Sequence, residues 1–276
     1  MKSALKVLKE QIKYFYLIRR LSIFELLSEN NDNYLGIAWE LITPVFQIAI
    51  YWFVFGYGIR QRADIYLSET MSVPFLYWMI IGMVTWLFFY QSIIQGSKAI
   101  YTRIRMLAKM NFPMSIIPTY IVLGRYYAHV GMLIIVMVIF NLSGYYTSIY
   151  MLQVLYYLIC LFAFTLSVAL VMSTLSTIIR DIQLFLQSIL RMGLYISPIL
   201  WPVDTISTSN QTIGTIMKLN PLYYLIEGYR HAFFGLGWHA IENLNYTIYF
   251  WSITILIFSF GSILHLKFRR HFIDYV

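Results

Sequence analysis

Long apolar stretches separated by short polar segments dominate the pattern of this chain. Six of them reach or approach the roughly 20 residues that an α-helix needs to cross a bilayer. These stretches are 36–58, 74–95, 116–140, 149–178, 184–201 and 246–266. A seventh, 219–234, is shorter and contains Pro221, Glu227 and Arg230, so we interpret it as a re-entrant or interfacial element. The pattern predicts an all-α integral membrane protein with six transmembrane helices in one transmembrane domain, 1–276.

The composition supports this prediction and excludes several kinds of site. The chain has 276 residues, of which 60% are hydrophobic and 12% charged, and its mean hydropathy is +0.68. Cys160 is the single cysteine, so neither an intrachain disulfide nor a CxxC motif is present. The GxxxxGK[ST], HExxH and GxSxG motifs are absent, and the five histidines lack metal-ligand spacing. We therefore predict no catalytic residue, no metal site and no bound cofactor on this chain.

Basic residues indicate how the chain crosses the membrane. The net charge is +8, and most Lys and Arg lie in the N-terminal segment, in the segment after the second span and in the tail 267–276. Because basic residues favour the cytoplasmic side, we expect both termini in the cytoplasm. Their position beside apolar spans favours anionic lipid headgroups over nucleic acid as their partners.

The first 32 residues have the pattern of an amphipathic helix. Four apolar positions share one helix face, and four lysines form a stripe beside it. The apolar positions are Leu5, Leu8, Ile12 and Phe15, and the lysines are Lys2, Lys6, Lys9 and Lys13. We predict a helix that lies in the cytoplasmic membrane interface. An ordinary solvated charged face is the alternative.

A second amphipathic segment, 98–110, follows the second span. Its apolar positions recur at i, i+4 and i+7, its basic positions lie on other faces, and Pro113 follows it. A short helix of this kind, exposed between two spans, can dock into a groove of a partner protein. A capped loop that only satisfies the charge rule is the alternative. The predicted docking residues are Ile100, Arg103, Ile104, Arg105, Leu107 and Lys109.

Five ionisable residues lie in or near the apolar stretches. We expect Glu40 and Arg125 to reach the membrane surface along their own side chains, because both lie near span ends. Arg191 lies deeper, in the middle of a predicted span, and must face protein or water. Glu227 and Arg230 are three residues apart on one helix face and are expected to pair.

Five segments of the chain carry a resemblance to a known family. They are NYLGIAWELITPVFQIAIYWFVFG at 33–56, KMNFPMSIIPTY at 109–120, RDIQ at 180–183, ILRMGLYISPILWP at 189–202 and LNPLYYLIEGYRHAFF at 219–234. In this order they resemble the permease subunits of type-2 ABC polysaccharide exporters over nearly the whole chain, most closely the teichoic acid translocation permease of Gram-positive bacteria.

This resemblance implies a homodimer in the bacterial plasma membrane with two copies of a separate ATPase subunit that binds ATP and Mg. It implies that 98–110 is a coupling helix and that 203–237 forms re-entrant helices on the outer side. The implied function is export of undecaprenyl-diphosphate-linked wall teichoic acid, with O-antigen or capsule export as the alternative. The dimer interface is expected from spans one and five.

Such a cargo needs positive charge for its phosphates and aromatic or polar surfaces for its glycan. The residues predicted to line its path are Arg191, Tyr195, Trp201, Tyr223, Tyr224, Glu227 and Arg230. Of the 24 Tyr, 20 Phe and 7 Trp, interfacial belts explain most. A membrane enzyme acting on lipid-linked sugars is a further alternative, but the acidic residues predicted on the outer side are too dispersed to favour it.

Overall fold

The computed structural model of this chain describes residues 2–31, 33–59, 64–67, 71–107, 112–203, 211–269 and 272. Within them, the regular secondary structure is helical apart from one short hairpin, in which Ile65–Tyr66 (β1) pairs antiparallel with Ser72–Val73 (β2). The helices are α1 (Lys2–Lys13), α2 (Phe15–Glu29), α3 (Trp39–Trp52), α4 (Phe75–Leu107), α5 (Ile117–Leu142), α6 (Gln153–Ile178), α7 (Asp181–Ile196), α8 (Gln211–Lys218), α9 (Pro221–Phe234), α10 (His239–Glu242) and α11 (Leu244–Phe268). The 3-10 turns Gly36–Ala38, Met114–Ile116 and Ile149–Leu152 precede α3, α5 and α6, and the π-helix Phe53–Ile59 extends α3.

In the part of the chain that the structure describes, five helical segments are long and apolar enough to cross a membrane. They are Gly36–Gly58, Phe75–Ile104, Met114–Leu142, Ile149–Ile178 and Leu244–Phe268. They coincide with the first four predicted spans and the sixth. The predicted fifth span corresponds to α7, which has 16 residues and ends at Ile196 instead of continuing to residue 201. The chain is therefore a multi-pass helical membrane protein.

The early end of α7 follows from its sequence. Ser197 adopts an extended conformation with φ −73° and ψ 146°, and Pro198 comes next. Proline disfavours the helical conformation of the residue before it, so the helix ends at this point. The predicted span 184–201 is too long because it includes this proline.

The segment 98–107 differs from its prediction in another way. It is the last part of the 33-residue helix α4, and no break separates it from the membrane-spanning part. The sequence contains no proline between Pro74 and Pro113, which allows the helix to continue. Residues 98–107, predicted to belong to a separate coupling helix, therefore form the C-terminal end of the long helix α4.

The core of the molecule lies between α4, α5, α6, α9 and α11. The apolar window of the second span is 78% buried inside the molecule, whereas that of the first span is 11% buried. Helix α9 fits tightly into this core at Gly228, where an added Cβ would lie 2.1 Å from the Tyr157 ring. Small residues permit such close helix packing in membranes. The low burial of the first span shows that helix α3 lies at the edge of the bundle, with much of its surface uncovered.

Helices α1 and α2 cover one end of the bundle, which we call the α1–α2 end. Glu10 of α1 accepts a hydrogen bond from Arg269 at 3.1 Å, so the beginning and end of the described chain lie together. Ile18 of α2 is buried with Ile104 and Tyr120. The predicted apolar face stays open on the other side, since Ile12 is 75% exposed. That exposed face is available for lipid.

The predicted re-entrant region contains α8 and α9, while residues 204–210 lie outside the described residues. Helix α9 has clear sequence signals at both ends. The Asn220 side chain accepts a hydrogen bond from the Leu222 backbone amide at 3.1 Å, and Pro221 occupies the first turn. At the other end Gly235 has φ +70°, a left-handed conformation that glycine adopts without strain.

Candidate functional site

One face of α3 carries a polar stripe within an otherwise apolar helix. Glu40, Thr43, Gln47 and Tyr51 recur at intervals of three or four residues and therefore share this face. All four line open space at the edge of the bundle. The Gln47 Oε1 atom is buried without a hydrogen-bond partner in the described structure. Polar side chains are costly in a membrane span and are expected to face protein, water or a polar ligand.

A second polar stripe, on α4, faces the first. Tyr90 and Gln91 are adjacent, and Gln95 lies one turn beyond Gln91. All three line the same open space, and Trp86 lies one turn before Tyr90. The space has two adjoining parts, of about 400 Å³ at the α1–α2 end and about 560 Å³ beyond it. Both parts are lined by Tyr90 and Gln91. We call the combined space between α3, α4 and α7 the polar groove.

Helix α7 forms the third wall of the polar groove. Arg191 and Tyr195 line its far part, as do Gln47 and Tyr51 of α3. The close approach of α7 to α4 depends on Gly193, where an added Cβ would lie 2.8 Å from the Trp86 ring. The geometry places an arginine in a groove whose lining combines amides, hydroxyls and aromatic rings with aliphatic side chains.

Charged side chains close the polar groove at the α1–α2 end. Arg125 Nη1 of α5 donates to both carboxylate oxygens of Glu40 at 2.6 Å, and its Nη2 donates to Glu29 of α2. Asn30 Nδ2 donates to Glu40 Oε1 at 3.2 Å. The prediction that Glu40 and Arg125 separately reach the membrane surface is therefore wrong, because the two side chains pair with each other.

Two of the predicted path residues, Arg191 and Tyr195, lie together in the polar groove. The Arg191 side chain is exposed, and among the described residues it makes no ion pair. Trp201 lies nearby, because its Nε1 donates to the Tyr195 carbonyl at 2.9 Å. This part of the predicted path forms one surface in the structure.

Arg230 and Glu227 lie outside the polar groove, where Arg230 packs against other helices of the bundle. They form the predicted pair, with Arg230 Nη1 2.6 Å from Glu227 Oε1. Arg230 is only 1% exposed. Its Nη2 donates to the Pro198 carbonyl at 3.1 Å, and its guanidinium lies 3.5 Å from the centre of the Trp78 ring. Arg230 joins α9 to α4 and to the turn after α7, and it does not line the polar groove.

Tyr224 and Tyr223 are also outside the polar groove. Tyr224 is fully buried, and its hydroxyl hydrogen-bonds to those of Tyr156 at 3.2 Å and Thr247 at 2.9 Å. Tyr223 is half-buried, with its ring 6.2 Å from that of Tyr246. The sequence prediction placed these tyrosines on the path, but packing within α6, α9 and α11 accounts for their contacts.

Three of the six predicted docking residues, Ile100, Arg103 and Ile104, contact other helices of the chain itself. Ile100 and Ile104 are buried against α2 and α5, so their apolar face does not offer a surface to a partner. Arg103 pairs with Glu25 of α2. The side chains of Arg105 and Leu107, and all of Lys109, lie outside the described residues.

Sequence reasoning missed most of the polar groove, although a signal was present. Thr43 and Gln47 on the first span, and Gln91 and Gln95 on the second, are uncharged and do not interrupt an apolar run. Their spacing of four residues nevertheless puts each pair on one helix face. Searching apolar spans for polar positions at helical intervals would have identified both stripes.

The polar groove is suited to holding a hydroxylated molecule. Amide and hydroxyl side chains donate and accept hydrogen bonds, and the rings of Trp86 and Tyr90 offer flat apolar faces. Arg191 can add a charge-assisted contact to an anionic group. Within the part of the chain that the structure describes, no group of three or more His, Cys, Asp or Glu has the arrangement of a metal site.

Comparisons with known proteins give the family. The ABC-2 type transporter family profile matches residues 16–234. The O-antigen export system permease protein RfbA of Myxococcus xanthus is 23% identical over 231 residues, which cover 83% of this chain and 85% of the relative. A protein of the same name from Klebsiella pneumoniae is 22% identical over 245 residues, covering 86% and 87%. Because the profile matches most of its length, this chain belongs to the ABC-2 type transporter family.

Proposed function

We propose that this chain is the membrane permease of an ABC exporter and that the polar groove carries the glycan of a lipid-linked polysaccharide. The observation that supports this most is the convergence of polar stripes from α3 and α4 with Arg191 of α7 in one groove at the edge of a membrane bundle. A glycan needs hydrogen-bonding side chains and ring faces, and its phosphates need positive charge. The polar groove offers all three.

For the cargo, the relatives favour a lipid-linked polysaccharide of the O-antigen type. The resemblance found in the sequence implied wall teichoic acid, but the relatives described above are O-antigen export permeases. We therefore replace teichoic acid by the broader class and put the O-antigen type first.

The working unit in this proposal is a homodimer. Helix α3 buries little of its surface inside the chain, and exposed apolar side chains such as Phe46 (61%) and Ile50 (62%) flank the polar groove. A second copy that packs against α3 and α7 would cover these side chains and enclose the polar groove between two chains. The groove would then be a protected passage instead of a cleft open to lipid.

Energy in this proposal comes from a separate ATPase subunit at the α1–α2 end. The sequence lacks a phosphate-binding loop, and ABC-2 permeases work with an ABC ATPase. We place both termini, α1 and α2 in the cytoplasm of a bacterial plasma membrane, in keeping with the distribution of Lys and Arg. Six crossings, with α7 completed by the following turn and α8–α9 re-entrant on the outer side, satisfy this orientation.

Complementation tests the proposal and separates the two cargo classes. The chain and its ATPase are expressed in one strain that lacks its O-antigen export permease and in another that lacks its teichoic acid permease. We expect surface polysaccharide, measured by antibody labelling of intact cells, to return in the first strain only. Return in the second strain alone would restore the teichoic acid assignment. Failure in both, with the chain inserted and its ATPase bound, would contradict the proposed export function.

A further inference from the structure

Two carboxylates of α2 lie between the end of α4 and the mouth of the polar groove. Glu25 and Glu29 are four residues apart, so they share one face of α2 at a separation of one helical turn. Each pairs with an arginine from a different helix. Glu25 accepts from Arg103 of α4, and Glu29 accepts from Arg125 of α5.

On the groove side, the connection continues directly into the wall of the polar groove. Arg125 holds Glu29 and Glu40 at once, and Glu40 is the first member of the polar stripe on α3. Close packing makes this geometry possible. At Gly124, next to Arg125, an added Cβ would lie 3.1 Å from the Ser22 carbonyl oxygen, so α2 crosses α5 nearly in backbone contact.

On the other side, Arg103 belongs to the last turns of α4, the part of the chain predicted to couple to an ATPase. The side chains of Arg103 and Glu25 are 25% and 17% exposed, so the pair is largely shielded from solvent. Burial raises the pKa of the Glu25 carboxyl, and Arg103 opposes this rise. Arg103 therefore favours the ionised form of Glu25.

We propose that Arg103, Glu25, Glu29, Arg125 and Glu40 form a relay that transmits motion from the ATPase end of α4 to the mouth of the polar groove. The inference rests on the proposed function, since it needs an ATPase partner at the end of α4. The five side chains are positioning residues: they act through the placement of α2 and α3. Glu25 and Glu29 belong to the same helix, α2. A shift of Arg103 that displaces α2 therefore moves both carboxylates together.

The consequence for the polar groove is mechanical. Arg125 holds α2 and α3 together through two carboxylates, and Asn30 adds a hydrogen bond from the end of α2 to Glu40. When α2 moves with Arg103, these contacts must stretch or move α3 with them. Because Glu40 and Arg125 both line the mouth, either change alters its opening. Coupling between distant sites requires a connected element of this kind with two arrangements.

Charge exchange in the assembled complex tests the relay. The variants are Glu25→Arg, Arg103→Glu and the double variant, each purified with the ATPase subunit and reconstituted with the lipid-linked glycan. We expect each single variant to assemble but to lose at least tenfold in glycan-stimulated ATP hydrolysis and in export, because like charges meet at the pair. The double variant re-forms the pair and should recover most of both activities.

The Glu10–Arg269 pair provides a matched control. It also joins a helix of the α1–α2 end to the bundle, but it has no contact with the polar groove. Glu10→Arg should leave glycan stimulation unchanged. An equal loss in this control would overturn the relay, because general anchoring of the two helices would then explain the effect. Normal stimulation in both single variants, or no recovery in the double variant, would overturn it as well.

The relay and the proposed function fail in different ways. If the unaltered chain binds its ATPase and exports glycan while the charge variants do the same, only the relay is wrong. If the unaltered chain neither binds an ATPase nor exports glycan, the proposed function is wrong and the relay with it. Accessibility of a cysteine at Thr43 gives a second readout. The rate at which this cysteine is labelled should change on addition of ATP when the relay residues are unaltered, and it should stay constant when Arg103→Glu is also present.

Discussion

Three arginines in apolar stretches show how neighbours determine what a residue does. Arg230 is buried beneath a tryptophan ring and paired with Glu227, so its side chain connects α9 to α4 and to the turn after α7. Arg125 joins two helices through two carboxylates. Arg191 is exposed on the wall of the polar groove. The sequence predicted the Glu227–Arg230 pair from its spacing, but it could not separate these roles, because the partners come from distant parts of the chain.

Arg230→Ala should destabilise the fold. Removing one partner of a buried ion pair leaves the other charge uncompensated, and because Glu227 is 23% exposed we expect the lower end of the usual range, about 3 kcal/mol. Thermal unfolding in detergent measures the change. The matched variant is Arg191→Ala, which should keep the same unfolding temperature and reduce export. Equal stability of both variants would contradict the structural role of Arg230.

At the scale of helices, the sequence predicted which helices exist better than it predicted the residues at which they end. Apolar length alone located five segments that match the long helices of the structure. The end of α7 was misplaced because the prediction weighed apolarity and ignored Pro198. The end of α4 was misplaced for the opposite reason, since charge was taken as a boundary although lysine and arginine are good helix formers.

Close helix packing is a property that the sequence does not reveal, since it gives no indication which glycine meets a neighbour. Gly228→Ala should destabilise the chain by about 1–3 kcal/mol, because its methyl group would overlap the Tyr157 ring. Gly131→Ala is the control, since its nearest new contact, Leu41 Cδ2 at 3.9 Å, is ordinary. The yield of monodisperse protein after heating measures both. Equal heat resistance would show that α9 can shift away from α6 without cost.

At the scale of the whole molecule, the sequence predicted a membrane transporter, and the structure contains a polar groove between three of its helices. Membrane character followed from composition, and the family followed from motifs distributed along the chain. The polar groove could not be predicted from the sequence, because its walls come from three helices and form one surface only after folding. Helix α3 contributes to that surface while remaining mostly uncovered, which is why we propose a homodimer that encloses it.

Passage of glycan through the polar groove can be measured as translocation of a labelled lipid-linked glycan in proteoliposomes. Gln91 lines both parts of the polar groove, so Gln91→Trp should block passage and reduce translocation to background, while ATPase binding and insertion remain normal. Leu155→Trp, on the apolar crevice between α5 and α6, should translocate at the unaltered rate. Full translocation by Gln91→Trp, or an equal loss of translocation in Leu155→Trp, would show that glycan does not pass through the polar groove.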